Sequence, residues 1–261
     1  MPSTRCKIPS TKNGAMKFEI IHISETDSTN RWLQDHPEAG DVLVWTDYQT
    51  AGRGCGTNHW ESERGKNLLF SVRYSPKNVP AASQFILSMA NALALKTALS
   101  DYTDGITIKW PNDLYWNDRK ICGTLIETSL QGMAIRHCII GTGINVNQTR
   151  FLSDAPNPVS LAQLLRHEVR REEVLQKIVD CTQHYMQAVE EGQWESLRSL
   201  YRQSLYRLQQ QHQYRFADGH TELCTLTNVT DDGHLQLLSC EGKLFSMAFK
   251  EVQFVINDKT T

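Results

Sequence analysis

Residues 109–127, Lys-Trp-Pro-Asn-Asp-Leu-Tyr-Trp-Asn-Asp-Arg-Lys-Ile-Cys-Gly-Thr-Leu-Ile-Glu, constrain the fold of this chain more than any other stretch. Pro111 pushes Trp110 into an extended conformation and ends whatever strand precedes it, because its ring crowds the residue before it and has no N–H for a ladder. Asn112-Asp113 and Asn117-Asp118 are turn formers, since their short side chains bond their own backbone. Leu114–Trp116 and Ile121–Thr128 are β-type segments, so the stretch reads as strand, corner, hairpin, strand. Three cations (Lys109, Arg119, Lys120) and two acids (Asp113, Asp118) crowd the corners beside tryptophans. A hairpin with only a structural task has no use for that charge density; an anion-binding active site does.

The surrounding pattern sorts into two regions. Phe18–Ile23, Asp41–Thr46 and Asn67–Tyr74 read as strands, with a glycine-rich loop over 50–66. A helix runs from Pro80 to about Asp101, with proline at its start. The strands Ile106–Trp110, Leu114–Trp116, Lys120–Ser129 and Arg136–Val146 follow on short turns, which favours antiparallel pairing. From Ser160 to about Leu208 the pattern is helical, and Val174, Ile178, Cys181, Tyr185 and Val189 form one apolar core stripe. After Gln209, four short strands alternate with Asp-Gly and Glu-Gly turns, the mark of a small all-β unit. The expected organisation is a disordered extension over 1–16, a main domain over 17–208 and a small β-barrel over 209–261.

Composition excludes more than it suggests. A net charge of −2 over 261 residues offers no electrostatic case for nucleic acid or membrane partners. No apolar run approaches the ~18–20 residues of a membrane span. Seven cysteines, an odd number without a Cys-x-x-Cys pair, fit thiols in a reducing cytoplasm better than disulfides or zinc.

Three further segments carry chemical signals. Ser28-Thr29-Asn30 sets three small polar side chains where a short helix begins near Arg31; alone, this is an N-cap. Tyr48 to Trp60, Tyr-Gln-Thr-Ala-Gly-Arg-Gly-Cys-Gly-Thr-Asn-His-Trp, offers glycines whose N–H groups can approach phosphate, with an arginine among them. It lacks the Lys-Ser/Thr ending of a P-loop and the spacing of a dinucleotide fingerprint. Gly141-Thr142-Gly143-Ile144-Asn145-Val146-Asn147 ends an apolar strand, and glycine there marks either a bulge or close approach by a ligand.

Taken in order, Ser-Thr-Asn, Gln-x-Ala-Gly-Arg-Gly…Trp, Lys-Trp-Pro-Asn-Asp…Arg-Lys-x-x-Gly and Gly-x-Gly-Ile-Asn resemble the biotin protein ligases, over residues 18 to 256. The resemblance implies an α+β fold: a mixed, largely antiparallel sheet flanked by helices, like class II synthetases, with a C-terminal SH3-like barrel. It implies that biotin's carboxylate attacks the α-phosphate of ATP, giving biotinyl-5′-AMP and pyrophosphate. A lysine of a biotin carboxyl carrier protein then displaces AMP. Two anions must meet in the first step, so cations have to offset their repulsion. The resemblance assigns that catalytic task to Lys120 and Arg53, with Mg²⁺ sharing it on the triphosphate. It assigns biotin to Ser28, Thr29, Asn30, Gln49, Arg53, Gly54, Cys55, Lys120 and Gly123. Nucleotide falls to Trp60, Asp113 and Asn145, and metal to Asp113. Trp110 and Trp116 are expected to pack in the core. The glycine loop is expected to order over the adenylate and shield it from water.

Two departures qualify the match. Many family members carry a second arginine where this chain has Cys55, so one cation fewer is expected to hold the adenylate more loosely. Some relatives carry an N-terminal winged helix; with Ser-Thr-Asn beginning at residue 28, a ligase without DNA-binding function is expected. A lipoate ligase is a rival that would lack the Lys-Trp-Pro-Asn-Asp segment. A non-catalytic biotin-binding module is another, but it needs little phosphate machinery. The oligomeric state stays open, a homodimer included.

Overall fold

A computed structural model describes residues 17–37, 40–153 and 157–256; the expected extension over 1–16 lies outside them. Seven strands form the larger sheet: β1 (Glu19–Ile23), β2 (Val42–Thr46), β3 (Leu68–Tyr74), β4 (Ile106–Lys109), β5 (Asp113–Trp116), β6 (Arg119–Gln131) and β7 (Ala134–Ile144). Their order is β1-β2-β3-β7-β6-β5-β4. β1 and β2 pair in parallel, and their link carries the helix α1 (Thr29–Asp35), the crossover that parallel pairing requires. The remaining neighbours are antiparallel, as the short turns of the sequence require.

Alternation along the strands gives the sheet two different faces. On one, Phe70, Val72, Cys138 and Ile140 share an apolar cluster with α2 (Phe85–Leu99), α4 (Arg171–Glu190) and α5 (Trp194–Gln203). Twelve of the fifteen α2 residues are buried, so this helix is apolar all round and sits in the middle of the core. Each fully buried leucine there contributes about 1.5–3 kcal/mol relative to exposure. On the other face, Gly123 pairs with Gly143, Leu125 with Gly141 and Glu127 with Ile139. Among the described residues, Leu33 of α1 with Val42, Val44 and Ile139 makes a small buried cluster on this side. The rest of that face is an open floor with glycines in it.

Five strands form the second sheet: β8 (Gln211–Phe216), β9 (Thr221–Val229), β10 (Leu235–Ser239), β11 (Leu244–Met247) and β12 (Val252–Phe254). The order is β11-β10-β9-β8-β12, antiparallel throughout. The fifth strand, at three residues, is too short to show a period in sequence. Tyr214, Cys224, Leu226 and Leu237 of this sheet belong to the same apolar cluster as the large sheet, so the two sheets share a continuous core.

Helix boundaries differ from expectation in local ways. α1 begins at Thr29, ahead of Arg31. A 3₁₀ turn over Ala81–Ser83 takes up the residues after Pro80 before α2 starts. The helical stretch after Ser160 divides into α3 (Leu161–Leu165), α4 and α5, broken at Arg166 and Gly192, both with positive φ.

Candidate active site

The charged corner is held from three sides. The Trp110–Pro111 peptide is cis, and the Tyr201 hydroxyl of α5 donates to the Pro111 carbonyl at 2.6 Å. Asp113, first residue of β5, lies opposite Lys109 in the ladder. Asn117 and Asp118 form a two-residue turn between β5 and β6, with Asn117 at φ 50°; asparagine accepts that left-handed backbone better than most residues. The turn is tied down by Tyr206 and Arg207, which donate to Asp118. This geometry brings Lys120 Nζ to 2.6 Å from Asp113 Oδ2.

Lys109 sits deeper. Its Nζ lies 4.8 Å from the centroid of the Phe254 ring and 5.4 Å from that of Tyr115, a favourable cation–π setting. Burial pushes its pKa down; Asp113 opposes that shift, while Lys120 and Arg207 add to it. Trp110 is buried, and its indole donates to the Gly233 carbonyl at 2.9 Å. Trp116 packs half-buried against the core.

Around the glycine floor the loop over 50–60 is folded into a small antiparallel tab. Gly54 N–H donates to Asn58 O at 2.7 Å, and Trp60 N–H donates to Gly52 O at 3.0 Å. The Trp60 indole rests on the floor: a Cβ at Gly143 would stand 2.3 Å from its Cε2, and one at Gly123 would stand 2.7 Å from its Cζ3. A side chain at either glycine would expel the indole. The indole N–H of Trp60 and the Nε of Arg53 are buried here without a hydrogen-bond partner among the described residues.

Together these groups enclose a cavity of about 660 Å³. Its wall includes three cations, Arg53, Lys109 and Lys120, against one carboxylate, Asp113. Beside it, a cleft of about 770 Å³ lies where the loop meets the second sheet. Lys109, Arg215 and Lys250 line that cleft, and among the described residues no carboxylate does. The wall thus combines neutral polar groups with cations, and the cationic lining continues through Lys109 into the cleft. Such a site suits an elongated ligand with an anionic end.

Most residues singled out from sequence meet at this cavity: Ser28, Thr29, Gln49, Arg53, Gly54, Cys55, Trp60, Asp113, Lys120 and Gly123 all line it. Ser28 holds the N-cap position of α1 but makes no side-chain cap bond, so its hydroxyl is left for the cavity. Gln49 Oε1 accepts from both the N–H and the hydroxyl of Thr29, at 2.8 and 3.0 Å, which turns the Gln49 amide nitrogen outward. Asn30 reaches the wall, yet its amide is occupied: Oδ1 accepts from Ser71 at 2.6 Å and Nδ2 donates to Glu127 at 2.6 Å. Asn145 is not in the wall. Its amide donates to the Lys120 carbonyl at 3.4 Å.

The sequence reading missed four contributors. Ser71 and Glu127 look like ordinary strand residues, and only period-two alternation with Gly123 could have placed Glu127 on the floor. Lys109 was noted as a cation but not assigned. Phe249, from the second sheet, closes part of the wall, so the C-terminal unit takes part in the site.

The sequence pattern of the Biotin/lipoate A/B protein ligase family matches residues 20–145. The chain is 33% identical over 162 residues to the biotin–[acetyl-CoA-carboxylase] ligase of Paracoccus denitrificans, covering 59% of this chain and 67% of that protein. It is 34% identical to the bifunctional ligase/repressor BirA of Bacillus spizizenii over 61% of this chain and 50% of that protein. The chain thus spans about half the length of such bifunctional relatives. In fold it resembles the Aquifex aeolicus biotin protein ligase in complex with biotin and ATP, with a TM-score of 0.77 at 24% identity, covering 91% of this chain and 99% of that one. An α+β ligase fold with a cationic cavity on one sheet face defines the class. The chain belongs to the biotin/lipoate A/B protein ligase family, and its curated relatives are biotin protein ligases.

Proposed function

We propose that this protein activates biotin with ATP as biotinyl-5′-AMP and transfers the biotinyl group to a lysine of a biotin carboxyl carrier protein. The observation that carries the reading is the cavity wall itself, which joins neutral polar groups at Ser28 and Gln49 with the cations Arg53, Lys109 and Lys120. The free Ser28 hydroxyl and Gln49 amide N–H suit the ureido ring, a compact donor–acceptor group that needs fixed polar partners in an apolar slot. Lys120 stands near the ring of Trp60 and beside Asp113, where a point charge can bring a carboxylate and a phosphate together.

In the first step a biotin carboxylate oxygen bonds to the α-phosphorus, and the bond from that phosphorus to the β-phosphate bridge breaks. Pyrophosphate leaves, and Lys109, Lys250 and Arg215 line the cleft that suits it. In the second step a neutral lysine amine attacks the acyl carbon, AMP departs, and the amine proton goes to solvent or phosphate. The Trp60 tab and Phe249 cover the slot and exclude water from the anhydride.

Among the described residues no group of three or more His, Cys, Asp or Glu side chains is arranged to hold a metal. Asp113, the carboxylate in the cavity wall, is the residue that would hold Mg²⁺ together with substrate phosphates; Mg²⁺ commonly binds through one or two carboxylates plus substrate phosphates. It would offset charge on the phosphates. A reducing cytoplasm suits the six cysteines among the described residues, all of them free thiols. Among the described residues no helix is long and apolar enough to cross a membrane.

The test is pyrophosphate release from ATP with biotin, compared with lipoate, in wild type and Lys120→Ala. Biotin-dependent release lost by about 100-fold or more in the variant supports the reading. Wild-type release no greater than that of Lys120→Ala, or release driven by lipoate instead, sinks it.

A further inference from the structure

One carboxylate oxygen joins three elements at the edge of the cavity. Glu127 Oε2 on β6 lies 3.1 Å from Arg53 Nη2 on the loop and accepts from Asn30 Nδ2 on α1 at 2.6 Å. The chain of bonds continues. Gln49 Oε1 accepts from the Thr29 N–H at 2.8 Å, and the next residue along, Asn30, accepts at Oδ1 from the Ser71 hydroxyl on β3 at 2.6 Å. The path from Gln49 through Thr29, Asn30 and Glu127 therefore returns to Arg53. It ties both ends of the loop root, residues 49 and 53, to the sheet.

The polarity of the path is set by Glu127. A carboxylate only accepts, so Asn30 must turn its NH₂ toward Glu127 and its oxygen toward Ser71. That oxygen lies where Gly141 has no side chain: a Cβ there would stand 2.1 Å from it. On the far side, Arg53 uses one nitrogen on Glu127, while its buried Nε has no partner. The guanidinium is planar, so fixing one edge aims the rest of the fork.

We infer that Glu127 is a positioning residue, whose carboxylate fixes the Arg53 guanidinium and with it the loop before substrate arrives. This inference rests on the proposed ligase reading for its kinetic consequence, though not for its structural one. Without Glu127, substrate binding must itself order Arg53 and the loop, and that cost falls on binding.

The experiment uses the full chain with Glu127→Gln, Arg53→Ala and the double variant. Glu127→Gln is expected to raise the KM for biotin about tenfold, the scale of one charge-assisted bond, with kcat altered less than about threefold. On the Arg53→Ala background it is expected to add less than about twofold, because its effect passes through Arg53. In the ligand-free protein, hydrogen exchange across residues 50–60 is expected to quicken in Glu127→Gln while exchange in α2 is unchanged. An unchanged loop exchange overturns the inference, as does a full additional KM loss on the Arg53→Ala background. If the wild type proves inactive with biotin while loop exchange still responds to Glu127→Gln, the ligase reading fails and the clamp stands.

Discussion

On β3, β6 and β7 the residues turned toward α2 are Phe70, Val72, Ile126, Cys138 and Ile140. On the opposite face of the same strands Gly123, Gly141 and Gly143 line the cavity, and Ser71 and Glu127 share that face. The two faces share one backbone and one register, yet one is filled with bulk and the other stripped of it. Apolar bulk stabilises through area removed from water and through close packing. Stripping it leaves room and exposes polar edges for a ligand. Stability should therefore reside on the α2 face and recognition on the glycine face.

The largest expected effect comes from filling the open face. Gly143→Val places branched carbons where the Trp60 ring lies. Biotin-dependent pyrophosphate release is expected to fall by about 100-fold or more, the scale of an ångström-sized misplacement. Its thermal midpoint should stay within a few degrees of wild type; a large drop in midpoint would erase the distinction between the faces. The reciprocal change is Ile140→Ala on the packed face, a fully buried site. It is expected to cost about 2–5 kcal/mol in a urea melt, with the KM for biotin at permissive temperature altered by less than about twofold.

A smaller effect tests the cationic end. Because burial holds the Lys109 pKa below that of an ordinary lysine, its charge is lost earlier as pH rises. ATP affinity should weaken across that range, and Lys109→Arg, which stays charged, should flatten the profile. The stability effect has the opposite slope. Folded protein binds this proton less tightly than unfolded chain, so the penalty is full below the folded pKa and fades as pH rises toward the unfolded value near ~10.4. Lys109→Met should remove that slope in alkaline melts. The smallest effect concerns Cys55, which lines the cavity on the loop. Cys55→Arg is expected to slow biotinyl-AMP release several-fold by adding a cation beside the phosphate; equal release rates would show that one charge here does not matter.

The site was legible wherever its chemistry is local. The corner at Pro111, the Asn117-Asp118 turn and the glycines of β7 announced themselves because turn formation and strand breaking act within a few residues. The Ser28-Thr29-Asn30 segment reads as an N-cap; the structure puts Ser28 at that position, earlier than a helix from Arg31 implies, with a hydroxyl that makes no cap bond. Asn30 and Asn145 look the same in sequence, yet one is held in the Glu127 network and the other donates to the Lys120 carbonyl. An amide's neighbours, not its identity, decide which atoms are left for a ligand.

The sequence alone determined the strand run from 106 to 146, the buried helix after Pro80, the order of the binding segments and the cations available to them. These follow from periodicity, turn chemistry and charge, which need no partner from elsewhere in the chain. Only the tertiary structure decided that Glu127 meets Asn30 from 97 residues away and Arg53 from 74, that Lys109 is half-buried against Phe254 and Tyr115, and that the second sheet lends Phe249 to the wall. Such contacts depend on register and on how separate elements pack. A one-residue slip in register would turn Glu127 to the α2 face.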